Sequence, residues 1–334
     1  MNIYDISKKA GVSIATVSRV MNGSTNVSEK TRKKILDVIA ENDYTPNAFA
    51  RGLGLNTMKT IGFLCADSSD QFFFRAVYHL ERALRANHYD AILSCTGMDL
   101  ETRREYLKML LAKKVDAVIL VGSSFIEEVY ERNQYIFDAA AEVPVIILNG
   151  YLDAPNVYCV LCDDTEIVEH TASVFLDSGR RDLLFLYRAD SYSGKKKLTG
   201  FKNAFSSRDI PLDPQRILLF QGSIAETKQR LLSLADSGLR FDTVIAGDDE
   251  LAIGALKYAK ERRLEVPSEF SVVGYNNSSL GVCCEPELTT IDNQLEFCCN
   301  HAVTVLMSVL DGKTAPGKTL LSARILQRGT TDVF

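Results

Sequence analysis

The chain is predicted to fold as an N-terminal all-α helix-turn-helix head with a hinge, followed by an α/β body of two doubly wound parallel-sheet lobes. Three observations carry this. Two short apolar-periodic segments flank a tight turn at Gly11-Val12-Ser13 near the start. From residue 60 onward, short apolar runs alternate with helical stretches, the rhythm of βαβ units and parallel sheets. That rhythm runs through once to about Leu148 and then repeats.

In the head, Ile3, Ile6 and Ala10 fall on one helical face, and Val17, Val20 and Met21 on the next. Ser13 is placed to cap the second helix through its hydroxyl. Asn22-Gly23 reads as a stop, because both residues tolerate the left-handed conformation. Ser28 caps a third helix whose expected inner face is Ile35, Leu36, Val38 and Ile39. Two short helices braced by a third make a helix-turn-helix. Pro46 ends the head, and the glycine-bearing segment from Asn47 to about residue 58 reads as a hinge.

In the body, strands are predicted at Thr60–Cys65, Tyr89–Cys95, Ala117–Val121, Val143–Leu148 and Val157–Leu161. The second series runs Leu183–Tyr187, Arg216–Phe220, Thr243–Ala246 and Phe270–Tyr275. Helices are expected between them, including Lys196–Arg208, Ile224–Asp236 and Glu250–Arg263. The tail adds an apolar stretch at Leu288–Ile291, a helix at Leu295–Leu310 and one last strand at Leu320–Gln327. The expected domains are 1–46, 47–58 and 59–334. Within the last, lobe 1 takes about 59–158 plus 290–317, and lobe 2 about 159–289 plus 318–334. Ligands of such sheets bind beyond the carboxyl ends of strands, and between lobes when there are two.

Composition is that of a globular protein, 46% hydrophobic and 24% charged, and 334 residues suit two or three domains. The net charge of -5 is uneven: residues 1–56 hold eight Lys/Arg against five acids, leaving the rest at -8. A basic head on an acidic body fits a local polyanion contact. No export signal or apolar run long enough for a bilayer is visible, so a cytoplasmic protein with no membrane contact and reduced thiols is expected. Cys159 and Cys162 have metal-ligand spacing, but no second such unit accompanies them, so neither a metal nor a cofactor is expected.

The head motif is specific. Tyr4-Asp5-Ile6, Ala10-Gly11-Val12-Ser13, Thr16-Val17-Ser18-Arg19-Val20 and Asn22 are followed by Val27-Ser28, Thr31-Arg32, Tyr44, Pro46 and Asn47. Fainter matches continue through Gly200-Phe201, Asp249 before Leu251-Ala252-Ile253-Gly254, and Arg328-Gly329-Thr330-Thr331. The chain thus resembles the lactose/galactose-repressor family of bacterial transcription regulators over nearly its whole length. The resemblance implies a periplasmic-binding-protein-like body, a homodimer, a pseudopalindromic double-stranded operator DNA and a small effector between the lobes.

By that resemblance the recognition helix is the second one. Ile14, Ala15, Ser18 and Arg19 point away from its apolar face, where such residues reach major-groove base edges. Arg19 can bond guanine O6 and N7 together, whereas Ile14 and Ala15 suit thymine methyls or sugars. Ser13, Thr16, Ser18, Asn22 and Ser28 match family phosphate contacts, although Ser13 and Ser28 could act as caps alone. Tyr4 and Asn47 belong to the same motif and count among the DNA contacts. Leu53, with small Ala50 beside it, matches a hinge leucine that wedges into the minor groove.

The resemblance places effector contacts at Asp67, Phe72, Phe73, Asn149, Lys197, Asp249 and Asn276. Asp249 matches a ligand-binding aspartate, and Asp248 replaces the usual asparagine before it. Lys197 stands where an arginine is common, although a Lys195-Lys196-Lys197 run is ordinarily solvated. Asp70-Gln71 replaces a usual Asn-Pro, and Phe73 either stacks on a sugar or belongs to the core. A sugar or sugar phosphate is the first candidate effector and a purine the second. Induction and co-repression both stay open. A periplasmic-type sugar receptor would share the body but lack the head. An enzyme is disfavoured by the absence of a P-loop, Gly-x-Ser-x-Gly or His-Glu-x-x-His.

Overall fold

The computed structural model describes residues 2–21, 24–42 and 57–334. The expectations for Asn22, Gly23, Asn47, Ala50 and Leu53 lie outside the described residues.

The head consists of α1 (Ile3–Ala10), α2 (Ile14–Met21) and α3 (Glu29–Glu41). Asn2 caps α1: its side-chain oxygen accepts the N–H groups of Tyr4 and Asp5 at 2.9 and 3.1 Å, and the Asp5 carboxylate accepts the Asn2 N–H in return. Gly11 closes α1 at φ 61°, a left-handed position that costs a glycine nothing. Ser13 and Ser28 do cap α2 and α3, accepting the N–H groups of Thr16 (3.2 Å) and Thr31 (3.3 Å). Ile6, Ala10, Val17, Val20 and Ile35 form the head's buried core. Leu36 was expected on the inner face, but it is 48% exposed. Ile35 already points at the core, and the next residue is turned 100° around the helix.

The body is built on two six-stranded sheets. In chain order the first lobe holds β1 (Thr60–Cys65), α4 (Gln71–Ala86), β2 (Asp90–Cys95), α5 (Leu100–Ala112), β3 (Ala117–Val121), α6 (Gln134–Glu142), β4 (Val145–Leu148) and β5 (Val157–Cys162). The second holds α7 (Asp164–Asp177), β6 (Leu183–Tyr187), α8 (Tyr192–Ser206), β7 (Ile217–Leu219), α9 (Ile224–Asp236), β8 (Thr243–Ala246), α10 (Asp249–Arg262), β9 (Ser271–Tyr275) and β10 (Thr289–Asp292). The chain then returns through α11 (Leu295–Leu310) and β11 (Lys318–Leu321) to β12 (Arg324–Leu326). Sheet order is β2-β1-β3-β4-β5-β11 in lobe 1 and β7-β6-β8-β9-β10-β12 in lobe 2. Every pairing is parallel except β10–β12. Strands such as β3, buried at every position, show why their sequences are continuously apolar: both sheet faces are covered. Helices α4 and α11 pack on one face of sheet 1 and α5 and α6 on the other. Helices α9 and α10 flank sheet 2 opposite α7 and α8.

The expected lobe edges move. β5 and β11 are neighbours in sheet 1, so lobe 1 extends to 162 and through 321, not to 158 and 317. The return edge lies after β10, since β10 belongs to sheet 2 and α11 to lobe 1. The single last strand expected at Leu320–Gln327 is two strands in different sheets, divided at Ser322-Ala323. An apolar-alternating pattern runs across that division and hides it.

The chain therefore crosses between lobes near Asp163, Asn293-Gln294 and Ser322-Ala323. These crossings are bonded to one another. The Asp163 N–H donates to the Leu321 carbonyl at 2.9 Å, and the Gln294 side-chain amide donates to that of Ser322 at 2.6 Å. The Cys162 thiol donates to the Asn293 carbonyl at 3.0 Å. Among the described residues, no helix is long and apolar enough to cross a membrane and no cluster of three metal-binding side chains occurs.

Candidate functional site

Two surfaces gather exposed and polar side chains. The first is on the head. Val17 and Val20 turn into the core, and the helical twist places Ser13, Ile14, Ala15 and Arg19 on the exposed side. Tyr4 is 67% exposed and Ile14 is 37% exposed, large apolar side chains left in water. The Ser13 and Thr16 hydroxyls lie 2.9 Å apart at the start of α2, and Ser18 is half-buried on the same helix. Ser28 and Thr31 repeat this hydroxyl pair at the start of α3.

The second surface is a cleft of about 520 Å³ between the lobes. It lies where the sheets predict a ligand site, beyond the carboxyl ends of parallel strands. Asp67 follows β1, Gly122 and Ser123 follow β3, and Asn149 follows β4. Across from them, Arg188 follows β6, Asp248 follows β8 and Asn276 follows β9.

Six of the seven expected contacts meet here: Asp67, Phe72, Phe73, Asn149, Lys197 and Asn276. Phe73 serves cleft and core together. A Cβ on Gly122 would stand 2.5 Å from its ring, so glycine at φ 107° lets the ring lie on the backbone. Asn149 and Asn276 hold φ of 60° and 89°, conformations that asparagine tolerates better than most residues. Asp67 accepts the hydroxyl and N–H of Ser69 at 2.7 and 2.8 Å, which hold its carboxyl below the ordinary value.

Lys197 is only 7% exposed, so the solvated reading of the lysine run fails at its last member. Its Nζ donates to the Gly247 carbonyl at 3.0 Å and sits 3.5 Å from the centre of the Tyr275 ring. Burial pulls its ammonium below the ordinary value, and the Asp164 charge opposes that pull. Asp164 is itself buried, which raises its carboxyl. It accepts the Ser193 hydroxyl at 2.5 Å and the Tyr275 hydroxyl. The start of α7 is thereby tied to the cleft wall one residue after the first crossing.

Asp249 is the exception. It is 2% exposed and does not line the cleft. Its two oxygens accept the Thr290 hydroxyl (2.6 Å) and the Ser278 N–H (2.5 Å), bracing the segment after β9. Asp248 caps α10 by accepting the Leu251 N–H at 2.8 Å, and the following residue is rotated into the body. Asp248, not Asp249, presents a carboxylate to the cleft.

Several cleft residues were not foreseen. Arg188 is held by Asp248 at 2.5 Å and Glu250 at 2.8 Å. Its position directly after a parallel strand is the signal that could have found it. Ser191 caps α8, which starts at Tyr192, four residues before the expected start. Among the described residues, the buried Ser124 hydroxyl on the cleft wall has no hydrogen-bond partner.

The lobes also touch each other directly. The Ser123 hydroxyl donates to that of Ser191 at 3.0 Å, and Arg75 donates to the carbonyls of Asn276 and Asn277 at 2.9 and 2.8 Å.

Comparison with known proteins gives the family and the fold. Residues 2–47 match the family described as bacterial regulatory proteins, lacI family, and residues 172–331 match a periplasmic binding protein-like domain. An HTH-type transcriptional regulator of Lachnoclostridium phytofermentans is 52% identical over 332 residues, covering 99% of this chain and 100% of its own. The crystal structure of the lac repressor dimer bound to operator and the anti-inducer ONPF has the same fold, with a TM-score of 0.88 at 23% identity over 99% of this chain and 98% of that one. A complex of the transcriptional regulator CelR with cellobiose gives a TM-score of 0.72 at 22% identity, covering 99% of both chains. The chain belongs to the lacI family of bacterial regulatory proteins, and it is a DNA-binding transcriptional regulator rather than an enzyme.

Proposed function

We propose that this protein is a cytoplasmic, homodimeric repressor whose two heads hold a pseudopalindromic operator and whose grip is set by a carbohydrate, free or phosphorylated, in the inter-lobe cleft. The observation that carries the effector reading is the convergence of Phe72, Phe73, Asn149 and Asn276 with serine hydroxyls on one cavity. Aromatic faces beside hydroxyl and amide groups suit a polyhydroxylated ring. The cellobiose complex of a protein with the same fold supports this reading.

On the operator, Arg19 reads guanine, while Ile14 and Ala15 meet thymine methyls or sugars. Tyr4, Ser13, Thr16, Ser18, Asn22, Ser28 and Asn47 position the head on the backbone, and Leu53 wedges into the minor groove beside Ala50. Arg19→Ala is expected to weaken specific operator binding by about 1–3 kcal/mol and to relax preference at one base pair. Leu53→Ala is expected to weaken operator binding with folding and effector binding intact. Wild-type operator affinity in Leu53→Ala would remove the wedge.

A thermal-shift screen of sugars and sugar phosphates tests the cleft assignment, because a ligand stabilises the state it binds. Any ligand that shifts unfolding should lose that shift in Asn149→Ala. A hit unaffected by cleft substitutions would place the effector elsewhere.

A further inference from the structure

An anion bound in this cleft would need a free cation or an open helix N-terminus. Among the described residues the cleft has three helix starts and two cations, and each of the five already meets a group of the protein itself.

The helix starts come first. Asp70 caps α4, its carboxylate accepting the N–H groups of Phe72 and Phe73 at 2.8 and 3.3 Å. Asp248 caps α10 through the Leu251 N–H. Ser191 caps α8, accepting the Gly194 N–H at 3.2 Å. Two of the three sites where backbone dipoles would favour a phosphate therefore already hold a carboxylate.

The cations are engaged as well. Arg188 gives Nε and Nη2 to Asp248 at 2.5 and 3.3 Å, Nη2 also to Glu250 at 2.8 Å, and Nη1 to the Gly222 carbonyl at 2.9 Å. Two carboxylates on one guanidinium leave an excess negative charge. The Lys197 ammonium is 7% exposed and faces the Gly247 carbonyl and the Tyr275 ring. Asp67 adds a further carboxylate to the wall. The remaining polar groups are neutral hydroxyls and amides, among them the unpartnered Ser124 hydroxyl.

The geometry points to a cleft built for a hydroxyl-rich ligand bearing no negative charge, with the Arg188–Asp248–Glu250 cluster as the element that rejects phosphate esters. This rests on the carbohydrate reading above and sharpens it. Hydroxyl groups donate well to carboxylates, whereas a phosphate ester dianion has acceptors only and would meet the Asp67 and Asp248 carboxylates beside a guanidinium already shared by two acids. Asp248 is the informative position, because asparagine also caps a helix and the fold should tolerate it.

The test titrates the 334-residue protein with matched pairs, glucose with glucose 6-phosphate and cellobiose with cellobiose 6-phosphate, and with inorganic phosphate alone. Calorimetry and thermal unfolding provide the readouts. The wild-type protein should bind the uncharged member of a pair at least about tenfold more tightly than its ester, and inorganic phosphate should not stabilise it. Asp248→Asn/Glu250→Gln frees the Arg188 guanidinium and should narrow that ratio about tenfold, with an unliganded unfolding profile that reports whether the variant folds. Tighter binding of either ester by the wild-type protein would overturn the inference, and so would stabilisation by inorganic phosphate. Binding of neither form of either sugar would count against the carbohydrate reading, while the phosphate titration would still decide the charge argument.

Discussion

Lys197 and Asp164, which both meet Tyr275, show how a buried polar cluster can join the ligand cleft to the lobe crossing. Both are buried, and each is the principal opposite charge acting on the other. Removing one member of a buried pair leaves an uncompensated charge. Lys197→Met is therefore expected to destabilise the body by about 3 kcal/mol in urea unfolding. Lys197→Met/Asp164→Asn should recover part of that loss in a double-mutant cycle. A loss in the double variant equal to the sum of the two singles would mean the residues act separately. At this scale the sequence was legible where a residue type suited one role only. Phe72, Asn149 and Asn276 reach the cleft as expected. Asp249 is expected in the cleft but is buried, because the choice between adjacent carboxylates depends on which one caps α10, and local spacing does not encode that. Arg188 escaped notice because its partners lie about 60 residues away at Asp248 and Glu250.

Elements were easiest to read where periodicity and punctuation agree. β1, β3, α9 and α11 lie at their expected residues, each a run of uniform pattern bounded by a turn or cap. α8 began earlier than expected, since Tyr192-Ser193-Gly194 has little helical propensity and only the Ser191 cap marks the start. The tail strand was misread because its two halves share one pattern but serve two sheets. The head is a small element set with five buried apolar side chains, so each is a large share of its stability. Ile35→Ala is expected to cost about 2–5 kcal/mol and to unfold the head selectively. Calorimetry should then show the head transition lost and operator binding abolished, with the body's melting unchanged. A melting point that falls for the body as well would show that head and body unfold as one unit.

For the whole molecule, the three interlinked crossings and the direct lobe contacts make the body a hinged pair with a small number of latches. Arg75 is the most explicit, one guanidinium nitrogen bonded to two carbonyls of the opposite lobe. Arg75→Ala should shift the lobes toward opening and weaken effector binding by about 1–3 kcal/mol, the range for hydrogen bonds from a charged donor. Small-angle scattering of the unliganded variant should show a larger radius of gyration, and unchanged scattering together with an unchanged effector Kd would mean the latch is idle. A ligand can move the heads only by its differential affinity for the two lobe arrangements, and the operator feels the ligand by the same factor. The most direct test is therefore a single titration of operator DNA with the 334-residue protein, without ligand and with saturating amounts of a sugar found to bind the cleft. The account predicts that the operator Kd changes at least about fivefold, and that the cleft variant Asn149→Ala loses the change. An operator Kd that stays the same with the cleft fully occupied would contradict it.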